Sequence, residues 1–109
     1  MTTAEHGGTV TLQCVISEDY QLIYWYKQTL GHMPQRVTEK YKFQKTSSLL
    51  GERISAKMVD SNYDLNIQNL TSSDEGIYFC QAGTMYRMEF KNGTFVTVRG
   101  TYPTVDKCS

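Results

Sequence analysis

The sequence has no excess of charge of either sign and no long apolar segment. In a chain of 109 residues, the 11 lysines and arginines equal the 11 aspartates and glutamates. We therefore expect no nucleic-acid binding and no binding to an anionic membrane surface, both of which need a basic excess. No apolar run approaches the roughly 20 residues of a membrane-spanning helix, and the start lacks the basic and apolar regions of a signal peptide. The length suits one domain with a single core.

Residue patterns for catalysis or metal binding are also missing. The two histidines, His6 and His32, are too few and too separated to form a metal site with the cysteines. There is no defensible serine–histidine–acid arrangement and no glycine-rich phosphate loop. The acidic pairs Glu18-Asp19 and Asp74-Glu75 lie in predicted turns, where solvated or structural roles dominate. We expect no enzyme activity, no metal site and no cofactor.

The chain has three cysteines. Cys14 and Cys80 each lie in a segment of alternating apolar residues, whereas Cys108 lies in a polar tail. One disulfide with one cysteine left over is the simplest interpretation and indicates an oxidising compartment. Three reduced thiols in a cytosolic domain are the alternative. Two N-glycosylation sequons, at Asn69 and Asn92, point weakly to the same oxidising route.

Apolar residues alternate with polar ones along most of the chain, and turn residues interrupt this pattern roughly every 8–12 positions. This spacing predicts an all-β sandwich. The cluster TSSDEG is a predicted turn with room for one helical turn, and no helical segment is convincing. The predicted strands are TVTLQCVI, IYWYKQ, QRVTEKYKF, RISAKM, YDLNIQNL, IYFCQA and FVTVRG.

Three features in a fixed order resemble an immunoglobulin domain. Cys14 is followed eleven residues later by Trp25, the only tryptophan, and the motif DEGIYFC ends at Cys80. The resemblance covers about 8–98. It implies two antiparallel sheets joined by one disulfide, Cys14–Cys80, with Trp25 packed on that bridge.

Further residues match the variable type of this fold. Tyr78, two residues before the second cysteine, takes the tyrosine-corner position, and Arg53 and Asp74 resemble the charged pair that closes the bottom of the sandwich. The span between tryptophan and second cysteine leaves room for two extra strands. FKNGTFVTV resembles the joining strand of antigen receptors. There Lys91 replaces the first glycine, which puts the usual glycine bulge in doubt.

Within this superfamily the chain most resembles the novel immune-type receptors of bony fish, with T-cell receptor variable domains and the co-receptor CD8 as close competitors. The resemblance implies a V-type domain at 1–100, a linker or stalk stub at 101–109 and an extracellular, cell-surface location. It also implies that the parent protein is membrane-anchored outside this chain. A homophilic adhesion or structural module, or a co-receptor chain without a loop-directed ligand, is the alternative function.

Strand parity predicts which residues face outward on one sheet. If Trp25 and Cys80 point inward, their strand neighbours point to the other face, and several of these are aromatic. Such an exposed apolar patch is unusual for a solitary soluble domain. We expect it to dock a second V-type domain as a homodimer or heterodimer. A third loop folded back over the patch is the alternative. The predicted interface comprises Tyr24, Tyr26, Gln28, Pro34, Phe79 and Phe90, and Ile77 and Gln81 face the same way.

Loops at one end of the sandwich are the predicted site for a protein ligand on a cell or pathogen surface. The loops are 17–22, 41–50 and 82–89, and Gly83 is expected to give the third one flexibility. Tyrosine, arginine and methionine are typical anchors of binding surfaces. Packing of the methionines at the loop base or against a dimer partner is the alternative. The candidate residues are Asp19, Tyr20, Lys45, Met85, Tyr86, Arg87 and Met88.

Overall fold

The computed structural model describes residues 1–16, 20–41, 46–48, 51–84 and 87–100, and for Ser47, Glu89, Lys91 and Asn92 it describes the backbone alone. Nine strands and one 3₁₀ turn (Ser72–Asp74) make up the regular structure of these residues. The strands are β1 (Thr2–Glu5), β2 (Val10–Leu12), β3 (Leu22–Gln28), β4 (Gln35–Tyr41), β5 (Ser47–Ser48), β6 (Ile54–Val59), β7 (Asn62–Ile67), β8 (Gly76–Gly83) and β9 (Met88–Arg99).

The strands form two sheets, which confirms the predicted all-β sandwich. The six-stranded sheet has the order β1-β9-β8-β3-β4-β5, and the three-stranded sheet has the order β2-β7-β6. The two extra strands of a variable-type domain are β4 and β5. The 3₁₀ turn lies in the segment for which one helical turn was expected.

One strand pair departs from the expected antiparallel sheets. Strand β1 was not predicted, and it pairs with β9 in parallel, from Thr2 opposite Val96 to Glu5 opposite Arg99. Its sequence, TTAE, is short and mostly polar, so its strand character depends on the long neighbouring strand rather than on its own pattern. The Arg99 Nε donates to Glu5 Oε2 at 2.7 Å and closes the pair at its end.

The core lies between the sheets, where the inward-facing side chains of both meet. Trp25 is 2% exposed, lies opposite Cys80 in the β3–β8 ladder and donates from Nε1 to the Tyr63 carbonyl at 3.2 Å. The Cys14–Cys80 disulfide, predicted from the resemblance, is confirmed, with a Cα–Cα distance of 6.4 Å. The largest fully buried side chains around them are Tyr63, Tyr78, Ile23, Leu65, Ile67, Leu70, Val37 and Val96.

An ion pair links the start of β6 to the 3₁₀ turn. The Arg53 guanidinium donates to both carboxylate oxygens of Asp74, each at 3.1 Å. The same carboxylate accepts the Thr71 backbone N–H at 2.9 Å, and the Tyr78 hydroxyl donates to the Asp74 carbonyl at 2.6 Å. Burial would raise the pKa of Asp74, but the hydrogen bonds from Arg53 and Thr71, with the nearby positive charge, outweigh it and lower that pKa.

This lowered pKa predicts an acid-dependent loss of stability. A carboxyl whose folded-state pKa lies below its unfolded value stabilises the fold above about pH 4 and loses that contribution as pH falls through the folded-state pKa. Asp74→Asn should therefore cost roughly 1–2 kcal/mol at pH 7, because Arg53 is partly solvated. The cost should shrink below about pH 4. Urea unfolding at a series of pH values measures it, with exposed Glu52→Gln as control. A cost that does not change with pH contradicts the assignment.

Candidate functional site: the outer face of the six-stranded sheet

The outer face of the six-stranded sheet carries a row of aromatic side chains, here called the aromatic face. It comprises Tyr24 and Tyr26 on β3, Phe79 on β8 and Phe90 on β9. Tyr26 lies opposite Phe79 in the strand register. Phe90 is 66% exposed, and the other three rings are partly buried. The structure thus brings together, across three neighbouring strands, the aromatic residues that parity had placed on one side.

The four rings form a continuous contact chain. The Tyr24 and Tyr26 rings meet edge to face with centroids 6.0 Å apart. Tyr26 stacks on Phe79 at 5.3 Å with an interplanar angle of 12°, and Phe79 meets Phe90 at 5.4 Å, edge to face. These offsets are the arrangements that aromatic pairs favour. The rings hold one another in place, so the face is preorganised.

Arg36 on β4 adds a cation to the aromatic face. Its guanidinium carbon lies 3.8 Å from the Tyr24 ring centroid, within cation–π range. It donates to Glu39 Oε2 at 3.2 Å and to the Tyr26 hydroxyl at 3.4 Å, and that hydroxyl donates to Gln81 Oε1 at 3.0 Å. Burial would lower the pKa of Arg36, but the hydrogen bonds to Tyr26 and Glu39 outweigh it and raise that pKa. The arginine stays charged and lies against the Tyr24 ring.

Sequence reasoning did not identify Arg36. Strict alternation along QRVTEKY predicts that Val37 and Thr38 face opposite ways, yet both are fully buried. The register between β3 and β4 shifts between Trp25 and Tyr26, and this irregularity breaks the parity of β4. A sequence pattern does not reveal such a shift, so the charge beside Tyr24 at the β4 end of the face was missed.

The apolar surface continues toward the other end of the sheet. Ile77 is 41% exposed, Phe95 is 44% exposed, and Leu30 in the β3–β4 turn is 95% exposed. A groove of about 200 Å³ lies between them, lined also by Gln28, Thr29 and Gly31. Phe95 was not predicted to lie on this face, although parity in FVTVRG would place it outward, and nothing in the sequence marked Leu30. Pro34 is exposed nearby, and Gln28 donates from Nε2 to the His32 carbonyl at 3.2 Å.

The third loop is shorter than the predicted segment 82–89, and this is a correction. Ala82 and Gly83 belong to β8, and Met88 and Glu89 belong to β9, so Met88 is a strand residue and not a loop residue. Backbone hydrogen bonds in both directions between Thr84 and Arg87 close a tight hairpin. Arg87 is exposed at its end, while Met85 and Tyr86 lie outside the described residues.

Gly83 makes this hairpin possible for a reason other than flexibility. A Cβ at Gly83 would come within 2.1 Å of the Arg87 carbonyl oxygen and 2.9 Å of the Met88 Cα. Glycine is therefore needed for the close approach of two strands. The expected glycine-based flexibility was wrong, because the paired backbone fixes this residue.

The other two loops are also shorter than predicted, because strands occupy part of each predicted segment. Leu22 opens β3, and Tyr20 is partly buried and packs against the core. Tyr41 ends β4, and β5 occupies two positions of the predicted second loop. The Thr46 hydroxyl hydrogen-bonds the buried Tyr63 hydroxyl at 3.0 Å, which ties the end of this loop to the core. Asp19 and Lys45 lie outside the described residues, as does Cys108.

The joining-like strand keeps its irregularity although its first glycine is a lysine. Phe79 pairs with Gly93 and Gln81 pairs with Phe90, so one extra residue of β9 lies opposite Cys80. Two residues, Lys91 and Asn92, therefore face one, which is a β-bulge. The bulge that the sequence put in doubt is present.

Metal-binding clusters and membrane-spanning helices are both absent from the described residues. Within them, no group of three or more histidine, cysteine, aspartate or glutamate side chains is placed to hold a metal ion. No helix in the described ranges is long and apolar enough to cross a membrane.

The family model for the immunoglobulin V-set domain matches residues 1–99. The chain belongs to the V-set family. Over 95 residues it is 32% identical to Ig kappa chain V region K-25 of Oryctolagus cuniculus, which covers 86% of each chain. V-set domains of this antigen-receptor kind are extracellular or cell-surface binding modules and not enzymes.

A solved structure shows the same fold. The V-set domain superimposes on a chain in a crystal structure of chicken TCR with a TM-score of 0.79 and 22% identity, over 90% of this chain. The chain spans about half of that structure's chain, namely 46%. At this identity the likeness concerns the fold alone.

Proposed function

We propose that this V-set domain is the ligand-recognition ectodomain of a cell-surface innate immune receptor and that it pairs with a second V-type domain through the aromatic face. One observation carries the pairing: a preorganised row of four aromatic rings lies on the outer face of a sheet, with Phe90 66% exposed at its end. Aromatic residues are enriched in the buried centres of protein interfaces.

The third loop supports this proposal by its shape. A loop folded back over the sheet was the alternative explanation for the exposed rings. The Thr84–Arg87 hydrogen bonds instead continue the β8–β9 ladder to the end of the sheet, so the described part of this loop does not reach back over Phe79. The rings therefore need another partner to leave water. In V-set domains of antigen receptors the positions of Tyr26, Gln28, Phe79 and Phe90 meet the partner domain.

The surface chemistry also fits a V-type partner. Beside the aromatic face, the Arg36 guanidinium and the Glu39 carboxylate lie 3.2 Å apart, so these two charges offset each other. The chain as a whole has equal numbers of acidic and basic residues. Two such domains can approach without long-range repulsion. Pairing through this face leaves the hairpin end, where Arg87 is exposed, outside the interface and able to contact a protein ligand.

A second function is favoured by a specific observation. The third loop joins β8 to β9 between Thr84 and Arg87 and is therefore shorter than the predicted eight-residue loop. A homophilic adhesion or structural module would use only the aromatic face and no loop-directed ligand. Cell-binding assays separate the two functions: Arg87→Ala reduces binding by a receptor that uses its loops, whereas only aromatic-face substitutions reduce binding by an adhesion module.

Charge placed at the aromatic face should weaken self-association. Phe90→Glu and Phe90→Lys each put a charge at an exposed position, so the fold is retained, and either should raise the dissociation constant of the pair at least about tenfold. Testing both charges excludes a new ion pair with Arg36 as the cause. Sedimentation equilibrium measures the constant.

The matched control is Val59→Glu, at the 40% exposed end of β6 in the other sheet. This variant should associate like the unsubstituted protein. If both Phe90 variants associate as tightly as the unsubstituted protein, or if Val59→Glu weakens association equally, the pair does not form through the aromatic face.

A further inference from the structure

The two N-glycosylation sequons lie in very different structural surroundings. Asn69 follows β7 in an exposed turn, whereas Asn92 lies within β9. We infer that Asn69 is the acceptor of an N-linked glycan in the secreted protein and that Asn92 stays unmodified. The second half of this inference rests on the proposed pairing, and the first half does not.

Asn69 is presented outward by a firmly held backbone. It has a left-handed φ of 52°, a conformation that asparagine adopts more readily than other residues with a side chain. Arg53 Nη1 donates to the carbonyls of Gln68 at 2.8 Å and of Asn69 at 3.2 Å. The next residue, Leu70, is fully buried. The turn is therefore fixed on its inner side, and Asn69 is exposed on its outer side.

A glycan at this turn leaves both proposed binding surfaces open. Asn69 follows a strand of the three-stranded sheet, so it is not on the aromatic face. It also precedes the 3₁₀ turn that leads into the start of β8, whereas the third-loop hairpin follows the end of β8. The eight residues of β8 put roughly 25 Å between these two ends at about 3.3 Å per residue.

Asn92 lies where a glycan would stand next to the aromatic face. Its backbone lies in the bulge between the Gln81–Phe90 and Phe79–Gly93 pairs. These flanking pairs include Phe79 and Phe90, two of the four rings of the aromatic face, so a bulky glycan attached between them would crowd that face. A domain glycosylated here could not pair through that face.

The modification is a glycosyl transfer from a polyprenyl-pyrophosphate-linked oligosaccharide. A bond forms between Asn69 Nδ2 and the anomeric carbon of the sugar, and the bond from that carbon to the pyrophosphate oxygen breaks. The pyrophosphate leaves with the bonding electron pair, and the amide nitrogen loses one proton. Thr71 supplies the hydroxyl residue that the acceptor motif requires.

The test is secretion of the chain from mammalian cells, followed by amidase release of glycans in ¹⁸O water and peptide mass spectrometry. Occupied asparagines are thereby converted to labelled aspartates. We expect label at Asn69 and none at Asn92. Asn69→Asp, which tolerates the left-handed backbone, should remove the whole glycan mass from the intact protein, and Asn92→Asp should leave it unchanged. Circular dichroism melting checks that both variants fold.

An unlabelled Asn69 overturns the acceptor assignment, whatever the state of Asn92. Label at Asn92 overturns the exclusion of that sequon. Sedimentation of the same material then separates the two proposals: if protein occupied at Asn92 still forms dimers, the aromatic face is not the pairing surface. If protein glycosylated at Asn92 is monomeric while protein without a glycan at Asn92 forms dimers, the result supports pairing through the aromatic face.

Discussion

Replacing Trp25 with alanine should lower the free energy of unfolding by about 3–5 kcal/mol. The indole is 2% exposed, shares its side of the sheet with the disulfide, and donates a hydrogen bond to the Tyr63 carbonyl. Truncation removes its apolar contacts, leaves a cavity between the sheets and takes away a buried donor. Such a loss is a large fraction of the roughly 5–15 kcal/mol that stabilises a domain of this kind. Urea denaturation monitored by far-UV circular dichroism measures the change.

Phe90→Ala is the matched control for this prediction. It also truncates an aromatic ring, but one that is 66% exposed on the outer face. Its effect on monomer stability should stay within about 0.5 kcal/mol. A loss of less than about 1 kcal/mol for Trp25→Ala would contradict the placement of the indole at the centre of the core.

Removing the disulfide should cost about 4 kcal/mol. Cys14 and Cys80 are separated by 66 residues, and cross-linking a loop of this length restricts the unfolded chain by that order on the chain-entropy model. The double variant Cys14→Ala, Cys80→Ala should therefore unfold at a much lower urea concentration than the oxidised protein. Both sulfur atoms lie in the core, so the variant loses some packing as well.

Reduction of the unsubstituted protein separates these two contributions. Reduced protein keeps both sulfur atoms, so its loss of stability reports the cross-link, and the remaining difference from the double variant reports packing. Unfolding curves of oxidised, reduced and substituted protein give both values. Reduced protein as stable as oxidised protein would show that the bridge contributes nothing to the fold.

The fold followed from the sequence to a large extent because parity and spacing are local signals. Cys14, Trp25 and Cys80 lie at the intervals of an immunoglobulin domain, and the structure buries all three in one core. Strand β1 was not predicted because its four residues have little alternation of their own. They form a strand by pairing with β9, which lies near the other end of the sequence. The bulge opposite Cys80 was not expected because position 91 lacks glycine. The structure shows that the bulge depends on the backbone register of β8 and β9 and not on glycine at that position.

The candidate site followed from the sequence only in part. Parity put the four rings on one face, but it did not show that they form one contact chain or that Arg36 lies over them. That arginine depends on a register shift between β3 and β4. The length of the third loop was overestimated because Gly83 suggests a mobile segment. In the structure this glycine instead allows β8 and β9 to approach closely, since a Cβ there would clash with the Arg87 carbonyl oxygen.

The most direct test of the central claim, pairing through the aromatic face, is a concentration series of NMR spectra of the labelled chain. Between about 10 µM and 1 mM, a range that detects association as weak as roughly 4 kcal/mol, resonances of Tyr26, Phe79 and Phe90 should shift together. Outward residues of the three-stranded sheet, such as Ser55 and Lys57, should not. Spectra unchanged over the whole range would contradict pairing between two copies of this chain, and shifts confined to that second sheet would contradict the claim itself.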